Sequence, residues 1–443
     1  MSEWATFSLS QIATMRKGIS YTSSDYGVED SGHPFITIKC FVKGGGYEPT
    51  GIKFYDGFSI KTDQLSAGDV LFAATDLTRA GDIVGSPLRV PAFSSPKSAL
   101  ASMDCVRIEP LPEKCDKAFL YHTLMLPSVR RQMVALSAGS TVLHLDTKKV
   151  PNIRVRIPLA VDAQQKIAAI LSSIDDAIER TEALIAKYRQ IKAGLMHDLF
   201  TRGVLPTGQL RPPREQAPDL YRETAIGWIP KEWEVRKLGT MAKIVSGVTL
   251  SSKETPPNWV TVPYLRVANV QDGYLDLSEI KTIAVPRAEL EFLRLLPGDV
   301  LMNEGGDFDK LGRGTVWAGE IEDCIHQNHV FRVRPEQTAL LPWYLAFYSE
   351  SSFGKKYFLL SSKQSTNLAS INSTQLNAYP IALPDSMEQA RIVERLQKMN
   401  NRIESLKIDA SKLSRKKLGL MQDLLTGKVP VKTEQPELVE TAA

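Results

Sequence analysis

Gly194-Leu195-Met196-His197-Asp198-Leu199-Phe200-Thr201 returns 225 residues later as Gly419-Leu420-Met421-Gln422-Asp423-Leu424-Leu425-Thr426. Each stretch ends a long periodic run, and together they set the reading of the whole chain. Ile178-Glu179 returns as Ile403-Glu404 at the same offset. Trp4, Leu9 and Gly18 return as Trp233, Leu238 and Gly247, and Gly68-Asp69-Val70-Leu71 returns as Gly298-Asp299-Val300-Leu301, with offsets near 230. Between these landmarks the two halves share almost nothing. Two like frames with unlike fillings imply one job done twice on two different targets, which points to binding rather than catalysis.

The runs themselves read as coiled-coil helices. The first places Ile167, Leu171, Ile174, Ile178, Thr181, Ile185, Tyr188, Lys192, Leu195 and Leu199 in alternating steps of 4 and 3. The second does the same with Ile392, Leu396, Met399, Ile403, Leu406, Ala410, Leu413, Lys417, Leu420 and Leu424. The registers coincide, including a lysine at the same step. One chain hides two such seams most simply by laying the helices against each other, antiparallel because the intervening domain returns the chain. A helix of about 33 residues spans about 50 Å, so the pair would act as a ruler. The competing arrangement packs each helix only on its own domain.

At 443 residues the chain exceeds what one core supports. Apolar content of 43% and charged content of 23% are ordinary for a globular protein. No stretch approaches the roughly 18 apolar residues of a membrane span, and Met1-Ser2-Glu3-Trp4 lacks a signal pattern. Cys40, Cys105, Cys115 and Cys324 form no Cys-x-x-Cys motif and read as reduced thiols of a cytoplasmic protein. Net charge is only +4. Residues 386–429 carry 10 Lys and Arg against 5 Asp and Glu, so any nucleic-acid footprint must be a local patch.

The globular parts read as mixed α+β. Strands are expected at Pro34–Ile38, Pro263–Val267 and Val330–Val333 and after both Gly-Asp turns, with helical stretches at 117–135 and 342–359. The division is a first domain at 1–158, a helix at 159–202, a Pro- and Gly-rich linker at 203–228, a second domain at 229–384, a helix at 385–427 and a disordered tail at 428–443.

On these residues the chain resembles the DNA-specificity subunit of Type I restriction–modification systems. The resemblance covers nearly all of it. It rests on the duplicated frame, the two Gly-Asp-Val-Leu turns and the passages that close each domain. These are Gly139-Ser140-Thr141, Leu145, Val150-Pro151-Asn152-Ile153, Ile157-Pro158 and Gln164-Gln165-Lys166-Ile167, and then Ser365-Thr366, Ile371, Leu376, Pro380-Ile381, Pro384, Glu388-Gln389 and Arg391-Ile392. The resemblance implies two target-recognition domains separated by two long antiparallel helices with an internal pseudo-two-fold repeat. Each domain would read one half of a split, asymmetric DNA sequence. The helices would dock two methyltransferase subunits, which carry S-adenosylmethionine and methylate adenine N6, and restriction/translocase subunits would join for cleavage. The chain itself would bind no cofactor or metal and catalyse nothing.

The residues agree with an absence of catalysis. There is no Asn-Pro-Pro-Tyr-type methyltransferase motif, no Gly-x-Gly-x-x-Gly after a strand and no phosphate loop. Gly44-Gly45-Gly46 reads as a turn, and His326-x-x-His329 lacks further ligands at zinc spacing. DNA-contact candidates lie in loops after the Gly-Asp-Val strands: Thr75, Thr78 and Arg79 in the first half, and Asn303, Lys310 and Arg313 in the second. Arg reads guanine and Asn reads adenine bidentately. Ser140, Thr141, Lys363 and Gln364 suit phosphate contacts. The paired bases Arg130-Arg131 and Lys355-Lys356, and Arg415-Lys416-Lys417, either grip DNA or form charged helix faces. Ile170, Leu184, Met196 and Phe200 lie off the seam and are candidates for a partner-docking face; contact with the chain's own domains is the other account. A coiled-coil scaffold with two protein-binding domains remains the alternative to a DNA reader. A fragment of a fused restriction enzyme fits poorly, since both frames are whole and no catalytic segment remains.

Overall fold

The computed structural model describes residues 3–29, 32–78, 80–249, 258–306, 311–364 and 369–432. It divides into two compact units, Met1–Glu182 with Ile408–Ala443, and Ala183–Lys407. Both are mixed helix and sheet, and both repeat one topology.

In the first unit, strand Trp4–Ser8 pairs antiparallel with Arg154–Pro158, fastening the start of the chain to the strand that leads into the first long helix. A four-stranded antiparallel sheet follows in the order Ala13–Lys17, Cys105–Pro110, Val70–Ala73, Pro87–Arg89. A second sheet sets Lys53–Tyr55 antiparallel and Leu100–Ala101 parallel to His33–Ile36. A short ribbon joins Ser137–Ala138, Leu143–Leu145 and Thr75–Asp76. Pro127 starts a new helix, so the helical stretch expected at 117–135 is two, Lys117–Leu124 and Pro127–Ala135.

The second unit repeats these sheets strand for strand and adds a helix, Arg287–Leu293. Glu234–Lys237 pairs with Pro380–Leu383. The four-stranded sheet runs Ala242–Ser246, Val330–Pro335, Val300–Asn303, Gly314–Val316. Trp259–Leu265 lies antiparallel to Lys281–Pro286 and parallel to Ile325–His326. The ribbon is Lys363–Gln364, Ala369–Ser370 and Gly305–Gly306. Helices Pro342–Glu350 and Ser352–Ser361 break at Ser351, whose side chain caps the second of them.

The repeated motifs are structural. Gly68 and Gly298 have φ of +87° and +94°, a region that disfavours a Cβ. The buried Asp69 and Asp299 carboxylates then accept the backbone N–H of Ser66 and Leu296 and pair with Arg107 and Arg334 of a neighbouring strand. The buried glutamines behave as twins. Gln164 accepts from Asp116 N–H and donates to the carbonyls of Lys114 and Pro158. Gln389 accepts from Leu341 N–H and donates to those of Ala339 and Pro384. Each amide is satisfied at both ends, which is what makes its burial tolerable.

The long helices are Val161–Arg202 and Ser386–Leu424, and every seam position named above is buried or half-buried. In the first unit Lys417 meets Asp175, while Lys166 donates to the carbonyl of Lys432 beyond the second helix. In the second unit Arg402 lies over the Tyr188 ring, and Arg391 donates to the carbonyl of Val204. Within each unit one helix advances as the other retreats, so the pairing is antiparallel. The stretch 203–228 is more than a linker. Val204 and Arg211 are buried, and Tyr221–Thr224 pairs with Gly227–Pro230 in a hairpin. At the other end, residues 428–432 are described, with Val431 packed on the first core; the rest of the expected tail lies outside the described residues.

Candidate nucleic-acid interface

The ribbons bring together segments that sequence placed far apart. In the first unit the loop after the Gly-Asp-Val strand and the Ser137–Thr141 segment share one ribbon: Thr75 pairs with His144, and Asp76 with Leu143. Thr75 is half-buried, whereas Thr78, Ser140 and Thr141 are exposed. Gly139 makes the hairpin turn possible, because at its φ of +139° a Cβ would run into the carbonyl oxygen of Val142. Arg79 lies outside the described residues.

Below the exposed tip sits a fixed base. The Asp76 side chain is 0% exposed and accepts the backbone N–H of Thr78 at 2.7 Å, Ile83 at 2.5 Å and Val84 at 3.0 Å. Burial pushes its pKa up, but these amides and the Thr78 hydroxyl outweigh it and hold the carboxyl below its ordinary value. Arg130, from helix Pro127–Ala135, donates to the carbonyls of Val84 and Asp82. Asp82 pairs with Lys43 at 2.6 Å. Sequence singled out Arg130 only as one of a basic pair, and it missed Asp76. The signal present was Asp76-x-Thr78, a side chain two residues ahead of an N–H it can accept.

In the second unit Lys363 and Gln364 join the ribbon through their backbones, opposite Ser370 and Ala369. Arg313 donates to Gln271 and lies 3.7 Å from Asp272. Lys310 lies outside the described residues. Asn303 is a correction. It is 1% exposed, and its Nδ2 donates to the carbonyls of Val267 and Val270, so the buried side chain ties a strand end to the core and does not reach the surface where a base would lie. Lys355 pairs with Asp272, and Lys417 turns inward to Asp175, while Arg131, Lys356, Arg415 and Lys416 are exposed.

The docking candidates divide as well. Ile170 is exposed and Leu184 half-buried. Met196 and Phe200 belong to the second unit's core, with Phe200 set edge-on against Tyr344 and Tyr348, so neither presents a surface to a partner. That corrects their assignment: a helix residue off the seam can still face its own domain.

No group of three or more His, Cys, Asp and Glu among the described residues could hold a metal. The His326 imidazole donates to the carbonyl of Val330, and burial lowers its pKa to about 4. No helix among the described residues is long and apolar enough to cross a membrane.

Comparison with known proteins agrees with this architecture. The chain is 26% identical over 345 residues to the Type I restriction enzyme MjaVIII specificity subunit of Methanocaldococcus jannaschii, covering 76% of each. It is 23% identical over 413 residues to the EcoBI specificity subunit of Escherichia coli, covering 89% of this chain and 79% of that one. A match to the putative MjaX specificity subunit of M. jannaschii, at 26% identity, spans 48% of that relative. The fold is similar to the crystal structure of a Type I restriction–modification S subunit from M. genitalium, at 15% identity, a TM-score of 0.57 and coverage of 98% and 97% of the two chains. A family model described as the Type I restriction modification DNA specificity domain matches residues 1–187 and again 230–412. With that match falling once on each half of the repeated frame, the chain belongs to the Type I restriction–modification DNA specificity family, as a specificity subunit.

Proposed function

We propose that this chain is the DNA reader of a Type I complex, that each unit reads one half of an asymmetric, bipartite target, and that partner subunits do the chemistry. The observation that carries this reading is the pairing of identical topology with unlike loops. Both units build the same ribbon from unlike residues: Thr75-Asp76 and Ser137-Ala138 in the first, with Thr78, Ser140 and Thr141 exposed beside them, and Gly305-Gly306 and Lys363-Gln364 in the second. Equal scaffolds with unequal tips suit unequal half-sites, since base edges are read by side chains and phosphates only position the protein. Two methyltransferase subunits, bringing S-adenosylmethionine, would methylate adenine N6, and restriction/translocase subunits would cut, in the cytoplasm. Ile170 and Leu184 remain candidates for docking the methyltransferase.

The long helices would set the gap between half-sites. At 1.5 Å per residue, 42 residues extend about 63 Å. The test is a map of N6-methyladenine in cells carrying the neighbouring methyltransferase, with and without this chain. A split, asymmetric motif that disappears with the chain is the expected result. Unchanged methylation, with the methyltransferase expressed, would favour a scaffold instead. Removing one matched heptad from both helices should change the gap and leave both half-motifs intact.

A further inference from the structure

We propose that Leu77 and Thr78 form a base-reading tip of the first unit, and that Asp76 and Arg130 are positioning residues that hold it preformed. This rests on the reading of the chain as a DNA reader and names the segment that reads. Three features meet here. Leu77 is 65% exposed, a large apolar side chain in solvent between the buried Asp76 and the exposed Thr78. The segment beneath it is fixed from both chemical sides. The Asp76 carboxylate accepts three backbone amides between residues 78 and 84, and the Arg130 guanidinium donates to the carbonyls of residues 82 and 84. The Thr78 hydroxyl closes the loop by accepting Asp82 N–H at 3.2 Å. A surface loop with no task has little reason to have an anion and a cation committed to its base.

The chemistry of the occupant follows from the tip. The apolar Leu77 suits a thymine C5-methyl group in the major groove, and the Thr78 hydroxyl, its proton held by Asp76 and one lone pair by Asp82 N–H, keeps a lone pair for an adjacent donor such as the N6 of the paired adenine. A preformed loop also binds without the entropic cost of ordering it on contact. Asp76 and Arg130 act through the tip and touch no base themselves.

The test is the methylation motif written by the full complex carrying Leu77→Ala, Asp76→Asn, Arg130→Ala or Arg130→Lys. Leu77→Ala should make one position of one half-motif degenerate, with discrimination there falling at least about fivefold, while the other half-motif stays unchanged. Asp76→Asn and Arg130→Ala should blur the same half-motif over more positions, and Arg130→Lys should restore part of it. A merely structural role would lower methylation at all sites without changing the motif. That outcome, or a motif unchanged by Leu77→Ala, would overturn the proposal. Should Asp76→Asn fail to fold, Leu77→Ala still decides, because it alters an exposed side chain. A wild-type chain that writes no split motif would instead overturn the DNA-reader reading itself.

Discussion

Lys192 and Lys417 occupy the same step of the two helical repeats, yet they are neutralised in different ways. In the first unit Lys417 Nζ lies 2.6 Å from Asp175, a carboxylate on the facing long helix. In the second, Lys192 Nζ lies 2.6 Å from Glu350, which ends helix Pro342–Glu350 of the recognition domain, and 5.6 Å from the centre of the Phe347 ring. The counterpart of Asp175 in the repeat is Asn400, and the counterpart of Glu350 is Met125, whose sulfur sits 3.8 Å from Lys417 Nζ. The two frames therefore share a requirement rather than a pair of residues. An ammonium placed in an apolar seam must find an anion, and whichever element supplies it is thereby tied to the seam. In the first unit that ties helix to helix, and in the second it ties the recognition domain to the helix.

A larger asymmetry gives the largest expected effect. Glu388 is buried at the start of the second long helix. It holds Arg211 through both carboxylate oxygens and accepts from Trp233 Nε1 and Val204 N–H. Its counterpart in the first unit is Ala163, also buried. Glu388→Ala leaves the buried Arg211 guanidinium with only the exposed Glu232 at 3.5 Å as an anion and should cost about 3–5 kcal/mol, read as a lower urea midpoint. A loss under about 1 kcal/mol would mean that the connection is not anchored there.

Asp175→Ala and Glu350→Ala should each cost less, about 2–3 kcal/mol, because these pairs keep some solvent contact. Hydrogen exchange should rise in the first unit for Asp175→Ala and in the second for Glu350→Ala. The exchanged pair Asp175→Lys with Lys417→Asp should recover most of the loss. Absence of any recovery would mean that packing, and not charge, holds that step.

The comparison extends to pH. His122 is fully buried against Ser172 and Asp175, and burial, reinforced by Lys417 and Arg89, lowers its pKa to about 3. Its counterpart, Phe347, does not titrate. Because the folded pKa lies below the unfolded value, the unfolded chain binds the proton first. Stability is then lost as pH falls below about 6.5, by roughly 2 kcal/mol at pH 5. His122→Gln should flatten that decline in the first unit. His326→Gln should do the same in the second, where burial also leads the shift. Melting temperatures between pH 7 and pH 5 that run parallel in wild type and variants would refute this. The smallest effect is expected from Asn303→Ala, about 1–2 kcal/mol from two carbonyls left unpaired, with the DNA motif unchanged. A changed base in the motif would return Asn303 to the reading surface.

Much of the frame was legible in the chain. The seams could be read because a sustained apolar period of 3.5 residues belongs to supercoiled helices and to little else. The Gly-Asp turns could be read because glycine at positive φ followed by a capping carboxylate is a local device. The candidates for facing DNA were legible only as segments. Asn303 has the right chemistry for adenine but faces inward, since it ends a strand whose every residue is buried. Met196 and Phe200 lie off the seam, but the second unit covers the helix on that side too. The ribbons needed long-range pairing, Asp76 with Leu143 and Gly306 with Ala369, which no local pattern announces.

By itself, then, the sequence determined the duplication, the two helices and their register, and the family, because periodicity and repeated turn chemistry are local properties of the chain. Only the tertiary structure decided which side chains reach solvent, which carboxylate answers each seam lysine and what holds the tip at Leu77. Those depend on which distant segments meet, and burial is a property of the meeting rather than of the residue.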